Sequence, residues 1–247
     1  MQNRRGGQIQ WSQPQIYPLG DSGIVLQFSR VYNTEVQQRI QACCAYLDQL
    51  QVLGLLEYVP AYTTLTLYYN PWLMSEEGRL DPYVRMTEIA QAMLAQAQTP
   101  QPKIAPTLVE IPVCYGGKLG PDLEEVARHA GLSEAEVVQL HCEPEYVVAM
   151  VGFAPGFPYL AGLNEQIATP RKSQPRTLVP AGSVGIAGQQ TGVYSIPTPG
   201  GWQLIGRTPR RLFRPRQENP SLLRAGNQVR FVPITAAEFE QQNKHES

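Results

Sequence analysis

The stretch PRKSQPRTLVPAGSVGIAGQQTGVYSIPTPGGWQLIGRTP, residues 170–209, decides the fold of the C-terminal part of the chain. Its apolar runs are short and are separated by glycine and proline, which is typical of short strands joined by turns. The strands predicted here are Leu178–Val179, Val184–Ala187, Val193–Ile196 and Gln203–Ile205. Similar runs on either side, Val147–Val151 and Val229–Val232, extend the pattern, so we expect a mainly-β barrel or sandwich.

The first hundred residues have another pattern, in which strands alternate with helices. Apolar residues recur at helical spacing in Asn33–Leu50 and Asp81–Ala97. The strands predicted around these helices are Ile16–Leu19, Ile24–Phe28, Leu56–Val59 and Thr64–Tyr68. The order ββαββα indicates an α+β fold. We therefore expect an α+β domain over 1–99, a Pro-rich linker over 100–106 and a mainly-β domain over 107–247.

The composition argues against several classes of protein. The 247 residues include 20 Lys and Arg and 21 Asp and Glu, and a net charge of −1 does not favour nucleic-acid binding. The longest apolar run, Val147–Pro155, is too short to span a membrane, and no signal peptide follows Arg4 and Arg5. The four cysteines form no C-x-x-C pair and are expected to be buried thiols. We expect a soluble cytoplasmic protein that binds neither nucleic acid nor membrane.

The charges are distributed very unevenly along the chain. Between Val147 and Arg216 there are eight basic residues and one acid, Glu165, a local charge of +7 that leaves −8 for the rest. Seven of the eight bases are arginine, which binds carboxylate or phosphate with two parallel hydrogen bonds. This region is therefore predicted to bind an anionic ligand. The alternative is that these arginines are solvated or pair with acids elsewhere, including those of a partner chain.

The chain lacks the sequence motifs of several common catalytic sites. It has no G-x-x-x-x-G-K-[ST] loop for ATP, and its three histidines are too few and too scattered for a metal cluster. The segment AGSVG, 181–185, lacks one glycine of a nucleophile elbow, so Ser183 is expected to be a turn residue. His141 ends the second of two short predicted helices, Pro121–Ala130 and Ser133–His141. It could stabilise that helix end or act in chemistry.

The segment GFAPGFPYL, 152–160, combines aromatic residues with prolines and glycines in a stiff, apolar loop. It could be a packed loop that covers one end of the barrel, or one wall of a pocket. Tyr194 and Gly200-Gly201-Trp202 would then supply the other walls, since paired glycines permit close approach of a ligand and tryptophan is an amphipathic anchor.

Seven segments together resemble the KipI / 5-oxoprolinase B-subunit / allophanate hydrolase subunit 1 family. They are GDSGIVLQF (20–28), VPAYTTLTLYYNP (59–71), IPVCYGGKLGPDL (111–123), GFAPGFPYLAGL (152–163), PRKSQPRTLVPAGSVGIAGQQTGVY (170–194), PGGWQLIGRTP (199–209) and LLRAGNQVRFVPI (222–234). The resemblance spans nearly the whole chain. It implies a cyclophilin-like β-barrel for the second domain, after an α+β N-terminal domain.

The resemblance also implies a function. With a protein of the KipA / 5-oxoprolinase C-subunit type and a third partner, the A-type 5-oxoprolinase subunit, such proteins form an ATP-dependent 5-oxoprolinase that opens 5-oxoproline to L-glutamate. The ATP site cannot be located in this chain, which we expect to be inactive alone. Two alternatives remain: a KipI-like inhibitor that binds a sensor histidine kinase, and a subunit of a urea- or allophanate-type amide hydrolase or carboxylase.

Candidate site residues follow from the resemblance and from the anionic oxygens that amide activation creates. Arg176 and Arg207 are predicted catalytic anion clamps, and His141 is the predicted general acid or base. The predicted substrate-binding residues are Phe153, Pro155, Gly156, Phe157, Arg171, Ser183, Gln189, Thr191, Tyr194, Gly200, Gly201 and Trp202. Of these, Arg171 is a third anion clamp, the aromatic residues Phe153, Phe157 and Trp202 are walls, and the hydroxyl and amide groups orient the substrate. No metal ligand is predicted.

Overall fold

A computed structural model describes residues 13–97 and 107–246 of the chain. The chain divides into two compact units, Met1–Pro102 and Lys103–Ser247. One unit has an α+β fold and the other is built on a closed barrel, which confirms the predicted fold class. The predicted linker, 100–106, lies outside the described residues.

The first unit is a four-stranded antiparallel sheet with helices packed against one face. Its elements are β1 (Gln15–Pro18), β2 (Gly23–Gln27), α1 (Thr34–Gln49), β3 (Leu55–Pro60), β4 (Thr64–Tyr69), α2 (Pro71–Met74) and α3 (Pro82–Gln96). The strand order is β1-β2-β4-β3. Alternate residues of β2 and β4, among them Leu26 and Leu67, face the core because side chains of a strand alternate between its two sides. Asn33 and Asp81 cap α1 and α3, because their side chains accept hydrogen bonds from backbone N–H groups of the first turn.

The second unit is built on a seven-stranded barrel. Its elements are β5 (Leu108–Tyr115), α4 (Leu123–Ala130), α5 (Glu134–Cys142), β6 (Tyr146–Val151), β7 (Pro158–Ala161), a short 3-10 helix (Glu165–Ile167), β8 (Arg176–Val179), β9 (Ser183–Ala187), β10 (Gln190–Val193), β11 (Thr198–Gly200), β12 (Gln203–Arg207), β13 (Gln228–Pro233) and α6 (Ala236–Glu246). The barrel order is β10-β7-β6-β13-β5-β12-β9, and β9 pairs with β10 to close it. The pair β5–β13 is parallel, and β8 and β11 form a separate two-stranded ribbon.

Sequence patterns missed the short 3-10 helix and four other elements, and each of those four omissions has a physical reason. The ribbon strand β11 reads TPG, which looks like a turn. The strand β7 begins with a proline in a loop-like context, α2 is a single turn, and α6 is too polar to show a helical stripe. The predicted strand Val193–Ile196 is wrong beyond Val193, because the chain leaves the barrel at Tyr194.

Within residues 13–97 and 107–246, each helix is either too short or too polar to cross a membrane.

Candidate functional site

Aromatic side chains enclose a cavity of about 210 Å³ in the second unit, which we call the aromatic pocket. Its lining residues are Phe153, Phe157, Tyr159, Arg171, Pro175, Tyr194, Pro199, Gly200, Gly201 and Trp202. Seven of these were predicted from the sequence to bind substrate. The structure therefore brings together the GFAPGFPYL loop, the start of the 170–209 stretch and the Gly-Gly-Trp turn, which are far apart in sequence.

The walls of the aromatic pocket are held by edge-to-face ring contacts. Phe157 is the centre of the cluster, with ring centroids 5.2 Å from Tyr194 and 5.4 Å from Trp202 at nearly perpendicular planes. Each such pair stabilises beyond its area of burial, by about 0.5–1.5 kcal/mol. The side chains of Phe157, Tyr194 and Trp202 are buried and packed against one another, so the walls of the pocket are in place without a ligand.

The loop that carries Phe153 is fixed in a strained conformation at the mouth of the pocket. Phe153 has φ of +69°, a region that residues with a side chain rarely adopt, and it remains 62% exposed. The Ser195 hydroxyl donates to the Pro155 carbonyl at 2.6 Å, and Gly156, with φ of +74°, packs under Phe213. Strain at an exposed aromatic residue points to function, because packing alone would bury it.

The Tyr194 hydroxyl is the polar group of the pocket wall. It accepts a hydrogen bond from the Trp202 backbone N–H, and burial raises the pKa of the phenol above its usual value. The hydroxyl is therefore protonated at neutral pH and is a hydrogen-bond donor. Gly200 lies against this hydroxyl, where a larger residue would overlap the ring.

Arg171 supplies a positive charge at the edge of the aromatic pocket. Its guanidinium lies over the Trp202 ring, 5.9 Å from the centroid, in cation–π geometry. Within the part of the chain that the structure describes, Arg171 forms no ion pair. Its fork of N–H donors is thus available for a carboxylate.

Asp122 is a buried acid that no sequence pattern indicated. It pairs with two of the eight basic residues between Val147 and Arg216. Its Oδ1 accepts hydrogen bonds from Arg176 at 2.7 Å and from Lys172 at 3.0 Å, while Oδ2 accepts from the Leu204 N–H at 2.7 Å. Burial opposes ionisation of Asp122, but these hydrogen bonds outweigh it and hold its pKa below the usual value. Asp122 occupies the N-cap position of α4 but does not cap the helix, because its carboxylate oxygens accept hydrogen bonds from Arg176, Lys172 and the Leu204 N–H instead.

Arg176 is therefore held in a salt bridge and is not a free anion clamp. Its Nη2 bonds Asp122, while Nη1 is buried and has no hydrogen-bond partner among the described residues. The alternative that the basic residues pair with acids elsewhere in the chain thus holds for Arg176 and Lys172. Because two cations share one carboxylate, the cluster keeps an excess of positive charge beside the ribbon β8–β11.

His141 lies in the barrel core and not in the aromatic pocket. It is completely buried, stacks on Phe231 at 4.5 Å and has partners at both ring nitrogens. Thr191 donates its hydroxyl to the Gly185 carbonyl and therefore accepts from His141 Nε2, at 2.9 Å; Tyr115 then donates to Nδ1, at 2.8 Å. Burial lowers the pKa of His141 to about 3. This geometry does not support the predicted acid–base role, and we assign His141 and Thr191 to barrel stability instead.

The buried His141 makes stability depend on pH. In the unfolded chain its pKa is about 6.5, so the unfolded state binds a proton that the folded state resists until about pH 3. The neutral, buried His141 therefore contributes fully to the free energy of unfolding above pH 6.5. This contribution is lost as the pH falls toward 3, at about 1.4 kcal/mol per pH unit. Urea unfolding of the wild type and of His141→Gln at pH 7 and pH 5 measures how the free energy of unfolding changes with pH. We expect a smaller pH dependence for the variant; equal slopes would contradict the assignment.

The remaining predicted residues lie apart from the aromatic pocket. Ser183 is buried in β9 opposite Arg207 of β12, and Gln189 is exposed where β9 turns into β10. Arg207 donates through Nε to the Ala181 carbonyl at 2.8 Å and lines a different cavity.

Sequence reasoning missed Tyr159, Pro175 and Pro199 as lining residues, although each is a neighbour of a predicted segment. Within the described residues, no group of three or more His, Cys, Asp or Glu is placed to hold a metal ion.

Comparisons with known proteins agree with this architecture. Residues 14–223 match the family described as carboxyltransferase domain, subdomain C and D. The chain is 47% identical to the 5-oxoprolinase B subunit of Bacillus subtilis (strain 168), over 91% of this chain and 95% of that protein. Among solved structures, TTHA0988 is 39% identical with a TM-score of 0.73, and the match covers 87% of this chain and 40% of that one. Kluyveromyces lactis urea carboxylase shares the fold, with a TM-score of 0.71 and 18% identity over 94% of this chain and 23% of that one.

These matches extend over both units, and the match to the Bacillus subtilis protein covers almost its whole length. The chain belongs to the carboxyltransferase subdomain C and D family, together with proteins named as the B subunit of 5-oxoprolinase.

Proposed function

We propose that this chain is the B subunit of an ATP-dependent 5-oxoprolinase complex, which opens 5-oxoproline to L-glutamate. The observation that carries the proposal is the 47% identity to the B subunit of 5-oxoprolinase over 95% of that protein. The fold likeness to urea carboxylase supports an amide- or urea-type substrate less well, because at 18% identity it concerns the fold alone.

The aromatic pocket has the chemistry that a small lactam acid needs. 5-Oxoproline is a flat ring with one carboxylate and one amide carbonyl, and the pocket offers about 210 Å³ between aromatic walls. In this proposal Arg171 binds the carboxylate, and the Tyr194 hydroxyl donates a hydrogen bond to the carbonyl. That bond strengthens as negative charge develops on the carbonyl oxygen. ATP would supply the activation that the unreactive lactam requires.

The pocket lacks a complete catalytic set, which supports the need for partner subunits. Among its described lining residues there is neither a carboxylate nor a histidine that could act as general base. The proposed partners are a protein of the KipA / 5-oxoprolinase C-subunit type and the A-type subunit of the complex. The longer TTHA0988 chain, of which this chain matches 40%, supports such a partner, because there the equivalent region is covalently joined to further protein.

Reconstitution tests the proposal directly. Glutamate formation from 5-oxoproline and ATP is measured with the purified A and C partners, with and without this chain. We expect activity only when all three proteins are present. If an established B subunit restores activity to the same preparation and this chain does not, the proposal is wrong, and urea, allophanate and kinase-inhibition assays follow.

Replacing Arg171 with alanine should weaken substrate use without unfolding the protein. The side chain is exposed and forms no ion pair within the described residues, so its loss removes mainly the proposed carboxylate contact. We expect kcat/KM for 5-oxoproline in the assembled complex to fall about 10- to 100-fold, the usual effect of losing a charge-assisted hydrogen-bonded pair. The matched control is Arg128→Ala, an exposed arginine on α4 whose change should leave kcat/KM unaltered. Equal kcat/KM for wild type and Arg171→Ala would exclude the role.

A further inference from the structure

A second cavity in the barrel unit, of about 360 Å³, is lined by basic residues and is separate from the aromatic pocket. We call it the basic cavity. Arg207, Arg210 and Arg211 line it, together with Thr208, Ser195 and Asn243, and its described lining residues include no acid. The two cavities have no lining residue in common.

The three arginines come from one short segment whose backbone is fixed. Thr208 is buried, and its N–H donates to the Gly182 carbonyl at 2.9 Å. Its hydroxyl accepts the Arg210 N–H at 3.1 Å, which leaves the hydroxyl proton able to bond a ligand. The chain geometry after β12 therefore places these guanidinium groups around one space.

The guanidinium of Arg207 is held in place by a hydrogen bond to the backbone. Its Nε donates to the Ala181 carbonyl at 2.8 Å, which orients the guanidinium and leaves the terminal nitrogens as donors. Burial lowers the pKa of this guanidinium, because the surroundings disfavour its charge. An anion in the cavity would offset that cost.

The donor set fits a phosphate better than a carboxylate. One guanidinium satisfies a carboxylate with two parallel hydrogen bonds, whereas a phosphate offers more oxygens and a second negative charge. Arg207, Arg211 and the Thr208 hydroxyl provide donors in several directions within one space. We propose that the basic cavity is a phosphate-binding site.

The position of the site gives it a relation to the aromatic pocket. Tyr194 lines the aromatic pocket and the next residue, Ser195, lines the basic cavity. The two sites are thus lined in part by consecutive residues of one segment. The phosphate could be inorganic phosphate or a phosphate of ATP, and the proposal concerns their shared chemistry. It goes beyond the proposed function and does not depend on it, because binding is measured on the full chain alone.

Calorimetric titration of the purified chain tests the site with inorganic phosphate and, separately, with ATP without added metal. We expect binding of at least one probe, with a dissociation constant below about 1 mM that rises with added NaCl. Arg211→Ala, an exposed position, should weaken it about tenfold or more. The matched control is Arg216→Ala, which removes the same charge from the same basic region but does not line the cavity. It should leave affinity nearly unchanged.

The outcomes separate the possible ligands. If both probes bind and compete, the site accepts the phosphates of a nucleotide; if only inorganic phosphate binds, the ligand is the free anion. No binding of either probe would overturn the proposal, as would equal weakening by Arg211→Ala and Arg216→Ala, which indicates a general charge effect. Tighter binding of acetate than of phosphate would also overturn it. Circular dichroism of each variant checks that it folds.

Discussion

Replacing Asp122 with alanine should lower the free energy of unfolding by about 2 kcal/mol or more, because it leaves two partly exposed cations and the buried Leu204 N–H without their shared partner. Arg176, Lys172 and the Leu204 N–H all donate to this carboxylate, which joins the segment 172–176 to β12 and to the start of α4. The change would also release the ribbon β8–β11, which carries Arg176 and Gly200. Urea unfolding at pH 7, monitored by circular dichroism, measures the loss.

A control and a pH series make the Asp122 prediction specific. Glu125→Ala removes an acid from the same helix, where it pairs with Arg128 at the surface, and should cost less than about 1 kcal/mol. The folded pKa of Asp122 is below its unfolded value, so its contribution is present above about pH 4 and is lost as the pH falls through the folded pKa. The stability difference between wild type and Asp122→Asn should therefore shrink below about pH 4. Equal effects of Asp122→Ala and Glu125→Ala would contradict the buried-network interpretation.

Replacing Gly200 with alanine should abolish most activity of the assembled complex. A Cβ at this position would lie 2.7 Å from Cζ and 2.8 Å from Cε1 of Tyr194, closer than atoms can approach. The ring must therefore move, and it packs against Phe157 and Trp202, so the whole aromatic pocket changes shape. We expect a loss of kcat/KM of about 100-fold or more, as small misplacements in a site produce, and a loss of stability of about 1–3 kcal/mol.

The neighbouring glycine provides the matched control. A Cβ on Gly201 would meet its nearest atoms, in Pro175 and Lys172, at 3.5–3.6 Å, an ordinary packing distance. Gly201→Ala adds the same methyl group one residue away and should retain most of the activity. If the two variants behave alike in turnover of 5-oxoproline and in urea unfolding, the pocket is not shaped by the contact between Gly200 and Tyr194.

Some features of the candidate site were visible in the sequence because they are local. The aromatic loop 152–160 and the Gly-Gly-Trp turn combine residue types that pack as walls, and the structure places them around one cavity. The excess of arginine over acid in 147–216 predicts an anion site from composition alone. Both signals can be recognised without the fold because they depend on the chemistry of residues that are close together in sequence.

The roles of individual charged residues were not visible in the same way. Arg176 and Arg207 are both arginines of the same basic region, yet one is bound to Asp122 and the other lines the basic cavity. Asp122 lies 54 residues from Arg176, so no sequence spacing predicts their contact. His141 has an ordinary position at a helix end, and only the closure of the barrel shows that it is enclosed by Phe231, Thr191 and Tyr115.

The sequence by itself determined the class of each unit, the residue types that form the pocket walls and the concentration of arginine in one region. Periodicity, turn chemistry and charge are properties of short segments, and they persist whatever the rest of the chain does. Only the tertiary structure decided which arginine is bound to a buried acid, which histidine is enclosed in the barrel core and that the two cavities are separate. The reason is that burial and pairing depend on atoms brought together from distant positions, and these set both the pKa and the availability of each side chain.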